Sequence, residues 1–100
     1  MTSFADHLKA ERRRMLLLTL LDLDGHANER SLLTALHLDG HIRETKETLR
    51  EDLEFLRSTA LITTSMFQET VMVARITDRG IDCAKGRVTV EGIKRPQIVG

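Results

Sequence analysis

The chain has one cysteine, Cys83, so it holds no internal disulfide, and the small secreted scaffolds that bridges staple together are excluded. Cys83 is expected as a small core residue. Trp and Tyr are absent and Phe occurs three times, too few for the aromatic platforms that stack single-stranded nucleic acid. No segment approaches the ~20 consecutive apolar residues of a membrane span. The apolar run MLLLTLL near the N-terminus follows MTSFADHLKAERRR, and it is too short and wrongly flanked for a secretory signal. A cytoplasmic protein with no membrane partner is expected. Catalytic motifs are missing too: there is no Gly-rich phosphate loop, CxxC pair, HExxH helix or nucleophile elbow. Neither an enzyme nor a cofactor is expected.

Charge of one sign is also lacking, because Lys plus Arg equals Asp plus Glu at 15 each. The whole molecule therefore has none of the basic excess that drives non-specific nucleic-acid binding. Charge has to be read locally. Lys9, Arg12, Arg13 and Arg14 stand against Glu11, and Lys85, Arg87, Lys94 and Arg95 stand against Glu91. These two segments are the basic spots.

What is present is one domain's worth of patterned sequence: 100 residues, 41% apolar and 30% charged, enough for one core. Ser3 and Asp6 form a capping-box pattern, and Phe4, Leu8, Met15, Leu18 and Leu21 follow at roughly helical spacing. A first helix over about 4–23 is expected. It is apolar nearly all round from Met15 to Leu21, so it should bury more than one face, with Met15, Leu18 and Leu21 as the seam of a homodimer. Asp24-Gly25 stops it, and Asn28 caps a second helix over about 28–37 carrying Leu32, Leu33 and Leu36. Asp39-Gly40 makes the turn to a third helix over about 43–58, with Leu49, Leu53 and Leu56 inward.

The periodicity then changes. Leu61 to Met66 and Val71 to Ile76 are rich in Val, Ile, Thr and Met around a polar Gln68-Glu69-Thr70 turn, the pattern of a β-hairpin over about 61–76. Thr77 caps a fourth helix over about 77–85, ended by Gly86. Arg87 to Glu91 alternates like a strand within a tail over 87–100. The fold class expected is α+β, mainly α: a three-helix core, a hairpin, a short fourth helix and a C-terminal strand or tail.

This order resembles a winged helix-turn-helix. Thr48 to Ile62 is similar to the recognition helix and first wing strand of ArsR-like and MarR-like regulators, with two leucines, a short linker and an apolar strand. Ile76 to Gly86 is similar to the strand-to-helix step after the wing. The likeness is nearest to the small winged-helix proteins of Mu-like transposable phages, whose tails resemble Val90 to Pro96; a phage protein would work in the host cytoplasm. The paired cysteines of metal-sensing ArsR-like repressors are missing, so metal sensing of that kind is not implied. The resemblance implies a fold and a default role as a DNA-binding transcriptional regulator, and it fixes no target.

Such a protein lays its third helix in the major groove of duplex DNA. With Leu49 centred inward, a step of about 100° per residue turns Arg43, Glu44, Glu47, Arg50, Glu51 and Glu54 outward, with Lys46 and Arg57 on the flank. The outward face is mixed and becomes acidic toward its end. Only Arg43, Thr45, Lys46, Thr48 and Arg50 suit a phosphate-lined groove, and they are the expected DNA contacts. Arg12, Arg13, Lys94 and Arg95 are expected as auxiliary phosphate contacts, although a solvated face explains the first two as well. The hairpin turn offers no base. His37, Asp39 and His41, or His26 with Asp22 and Asp24, suggest a metal site, but Gly40 interrupts the helical spacing of the first pair. Turn and cap roles explain them better, and no metal is expected. The alternative to DNA binding is a protein-interaction module, favoured by the neutral charge and the base-free wing.

Overall fold

The computed structural model describes residues 3–96. The elements run α1 (Phe4–Asp22), β1 (His26–Asn28), α2 (Glu29–Leu38), α3 (Lys46–Ser58), β2 (Ile62–Phe67), β3 (Val71–Ile76) and α4 (Asp78–Ala84). The result is an α+β domain, about half helical, with a three-stranded antiparallel sheet in the order β1-β3-β2.

Each helix begins where a side-chain oxygen accepts an otherwise unpaired backbone N–H. Ser3 accepts from the Asp6 N–H in a full capping box, Asn28 from Ser31 and Thr77 from Gly80. The start of α3 departs from the sequence expectation. Thr45 is extended and its side chain accepts from the Thr48 N–H, while Thr48 in turn accepts from the Thr45 N–H. This reciprocal box starts the helix at Lys46, so Arg43 sits in the preceding loop rather than on the helix.

The core is built mainly from leucine. Leu16, Leu17 and Leu20 of α1, Leu32 and Leu36 of α2, and Leu49, Leu53 and Leu56 of α3 are fully buried, each contributing roughly 2 kcal/mol from lost apolar exposure. Leu61, Ile62, Ala74 and Ile76 close it from the sheet side. The expected dimer seam is partly spent here: Met15, Leu18 and Leu21 are half-buried and pack against this same core. Phe4 and Leu8, grouped with the apolar stripe of the first helix by spacing, are exposed, and so is Leu38 at the end of α2.

The hairpin pairs in strict antiparallel register from Ile62 with Ile76 to Phe67 with Val71. Its turn places Gln68 and Glu69 at φ of 51° and 63°, the left-handed region that suits the right-handed twist of the flanking strands. Two elements differ from expectation. His26–Asn28, where the sequence suggests no strand and assigns Asn28 to the start of the second helix, is a strand paired with Arg75 to Val73. Arg87–Glu91, read as a strand, joins no sheet: Val90 and Ile93 are buried in the core, and Val88 packs half-buried against it. Its alternation reflects one face lying on the helical layer. The part of the expected tail at 97–100 lies outside the described residues.

Among the described glycines, Gly80 leaves the least room for a side chain. A Cβ there would stand 2.1 Å from the Leu61 carbonyl oxygen and 2.7 Å from the Ile76 side chain, so α4 approaches the β2 entry at a distance that only glycine permits. Gly80→Ala is expected to destabilise the domain by about 3 kcal/mol, measured as a lowered midpoint in urea with the slope unchanged.

Candidate functional site

Among the described residues two acids are buried, Asp52 and Glu29, and they define two different sites. Asp52 lies on the inward stripe of α3 between Leu49 and Leu53 and is 1% exposed. Arg12 of α1 donates to both of its carboxylate oxygens, through Nε and, at 3.1 Å, through Nη2. Arg12 Nη1 also donates to Glu44 at 2.9 Å. Burial works against the Arg12 charge, but pairing with Asp52 and Glu44 more than offsets it and raises the pKa above the ordinary value. Arg13 donates to Asp52 at 3.3 Å, and its guanidinium lies 3.8 Å from the centroid of the Phe55 ring.

The expectation that Arg12 and Arg13 face phosphates is therefore corrected. Both are turned into the interior, because Asp52 is buried there and a buried carboxylate requires partners. A base on the inward stripe of α1, four residues before Leu16, and an acid on the inward stripe of α3 were the readable signal for this pair. Of the other auxiliary candidates, Lys94 pairs with Glu11 at 2.8 Å and Arg95 is exposed.

The second site is at the N-terminal end of α3. Glu29, the first residue of α2, is on the same stripe as Leu32 and Leu36 and has a side chain only 8% exposed. Arg50 of α3 grips it with both prongs, Nε at 2.7 Å and Nη2 at 2.9 Å, and Lys46 Nζ stands 3.6 Å away. Pairing with Arg50 pulls the Glu29 pKa below its ordinary value; burial opposes this, while the Met72 backbone N–H and the Lys46 charge assist. Arg30, Lys46, Leu33, Thr70 and Val71 line a groove around Glu29, between the two helices and the base of the hairpin turn.

Of the residues expected to meet DNA, Lys46 and Arg50 converge here. Thr45 and Thr48 cap α3 at its start, and Arg43 is exposed in the loop before it. That loop is held by His37, whose ring Nε2 is 2.8 Å from the Glu44 carbonyl oxygen, a turn-fixing role. Among the described residues, no group of three His, Cys, Asp or Glu side chains is placed to hold a metal ion. Glu29 and Arg30 are the site residues that the sequence reading did not single out.

By architecture this is a small α+β domain with four helices and a three-stranded antiparallel sheet, in which no helix among the described residues is long and apolar enough to cross a membrane. No family model matches the chain. It is 34% identical over 92 residues to uncharacterized protein gp26 of Escherichia phage Mu, covering 92% of this chain and 94% of that protein. The chain belongs to the family of that phage protein.

Two outcomes follow from these sites. Asp52→Ala strands Arg12 in the interior and is expected to cost about 4 kcal/mol by denaturant titration, whereas Glu54→Ala, which removes an exposed pair with Arg57, leaves the midpoint nearly unmoved. Glu29 contributes pH dependence of definite sign. Its folded pKa is lowered from 4.5, so its stabilisation is fully present above that value and is lost as pH falls through the lowered one. Thermal melts from pH 7 to pH 3 should therefore fall less steeply in Glu29→Gln than in the parent.

Proposed function

We propose that this protein is a winged-helix DNA-binding regulator of phage or bacterial type that engages duplex DNA with the N-terminal end of α3. The observation that carries this reading is that Arg30 and Lys46 line the groove around Glu29 beside α3, while Arg50 grips the same Glu29 carboxylate. The order of elements supports it: α2 and α3 are joined by a turn and a hairpin follows, with its second strand paired to β1, as in winged helices. Arg43, exposed just before α3, extends the cationic edge.

Glu51 and Glu54 are exposed further along α3, while Glu47 is exposed in its first turn beside Lys46. A duplex lying broadside along the helix would meet them, so end-on entry is the geometry proposed. The DNA-binding set is then Arg43, Thr45, Lys46, Thr48 and Arg50, with Thr45 and Thr48 acting through the cap they form. A homodimer joined along the part-exposed Met15, Leu18 and Leu21 edge presents two such ends to a two-fold site.

A second reading is favoured by a separate observation. Leu38 and Ile42 are 85% and 74% exposed on either side of the α2–α3 turn, two large apolar side chains that a protein partner would cover. The charge and the apolar pair make opposite demands on salt.

The deciding measurement is a fluorescence anisotropy titration with labelled duplex from the DNA flanking the protein's own gene, at low and moderate salt. The DNA reading expects binding that weakens steeply with salt, because neutralised phosphates release counterions, with two protomers per duplex. The triple variant Arg43→Ala, Lys46→Ala, Arg50→Ala should lose affinity at least about tenfold and flatten the salt slope. Absence of binding by the parent at low salt overturns the reading and leaves the protein-partner surface.

A further inference from the structure

The pairing of Arg50 with Glu29 has a direction, and that direction bears on what Arg50 can recognise. A guanidinium carries five N–H donors, one on Nε and two on each Nη. The Glu29 carboxylate engages Nε and Nη2 at 2.7 and 2.9 Å, which is the side-on edge. One donor on Nη2 and one on Nη1 lie along the end-on edge, and the second Nη1 donor points toward the Cδ side. With its side chain 36% exposed, Arg50 is neither buried with its partner nor free to wander.

Glu29 is the fixed member of the pair. It belongs to the first turn of a helix, its side chain is 8% exposed, and Lys46 stands on it from the same helix as Arg50. Both partners are thus carried on packed helices rather than on loops, the arrangement that holds a recognition group to within a fraction of an ångström. The Nη1 and Nη2 edge left free is the planar fork that matches the O6 and N7 acceptors of guanine in the major groove.

We infer that Glu29 is a positioning residue that holds Arg50 side-on so that its remaining edge reads a guanine, making this pair the source of sequence discrimination. The inference rests on the DNA reading given above and deepens it. Arg50 contacts the base; Glu29 acts only through Arg50. Lys46 and Arg30, as flexible or unfixed cations at the same groove, serve phosphates and carry no sequence information.

The test is selection from a pool of duplexes randomised over about 20 base pairs, enough for two half-sites one helical turn apart, followed by titration of the selected duplex against its guanine-substituted forms. The parent is expected to prefer guanine by about tenfold or more at one position per half-site. Glu29→Gln should lose most of that preference while its affinity for unrelated duplex stays level or rises, because a local negative charge is gone. Loss of fold alone would weaken both together, and the melting temperature separates the two. Arg50→Lys, which keeps the charge but not the fork, should behave in the same way. Lys46→Ala should weaken all sequences evenly and keep the preference.

The inference is overturned if Glu29→Gln, still folded, keeps the parent's guanine preference, or if the selected site has no guanine that depends on Arg50; in both cases the DNA reading stands. If the parent enriches no sequence and shows no salt-sensitive binding, the DNA reading itself is overturned and this inference with it.

Discussion

The carboxylate of Asp52, 1% exposed, is the constraint around which the helical layer is arranged. Burying an ion costs several kcal/mol unless it is fully partnered, so the chain has to deliver cations to one point inside α3. Arg12 and Arg13 arrive from α1, Glu44 reaches the far side of Arg12 from the α2–α3 loop, and Phe55 supplies an aromatic face under Arg13. The C-terminal segment is drawn in as well. Gly92 accepts from Arg13, and a Cβ there would come within 2.8 Å of the Phe55 ring. Leucine packing alone is tolerant of small rotations; a two-pronged ion pair between α1 and α3 is not. It fixes the roll of α3 about its own axis.

The roll of α3 decides what its other face presents. With Asp52 inward, Arg50 is turned toward the start of α2, where Glu29 waits at the foot of the helix. The two acids thus do complementary things with the same chemistry. Asp52 is closed off by its partners and welds the interior, while Glu29 sits at the rim, where its partners remain partly in solvent. Arg50, 36% exposed in this pair, keeps one edge toward solvent, and it is that edge which is available for recognition.

Much of the fold was legible because it depends on local rules. The caps at Ser3, Asn28 and Thr77, the leucine stripes and the polar hairpin turn each carry a short-range signal, and α1, α2, the hairpin and α4 fall within a residue or so of the expected bounds. Elements that depend on distant partners were not legible in this way. His26–Asn28 has a single buried residue, Ala27, and becomes a strand only because β3 is beside it. Arg87–Glu91 alternates as a strand would, yet meets a helical surface instead of a strand edge. At α3, Arg43 fits the helical wheel, but Thr45 is the better cap and wins the first turn. The candidate site was half legible: Lys46 and Arg50 follow from the helical wheel, whereas Glu29 required noticing that an acid shares the stripe of Leu32 and Leu36, and that a buried acid has to have a base facing it.

The equality of acids and bases in the sequence carries less information about binding than it first suggests. Net charge counts every group equally, but Arg12 and Arg13 are consumed inside the molecule, and Arg57, Arg87 and Lys94 are held by Glu54, Asp82 and Glu11. What a partner meets is the remainder, distributed by the fold. Around the start of α3 that remainder is Arg30, Arg43, Lys46 and Arg50 against Glu29 and Glu47; farther along the same helix it is the acid Glu51. A surface that changes sign along one helix attracts a polyanion weakly and in one orientation only. On the proposed reading, long-range attraction then contributes little to affinity, and short-range fit at the first turns of α3 has to supply most of the discrimination. That requirement falls on the one cation there whose direction is fixed, Arg50.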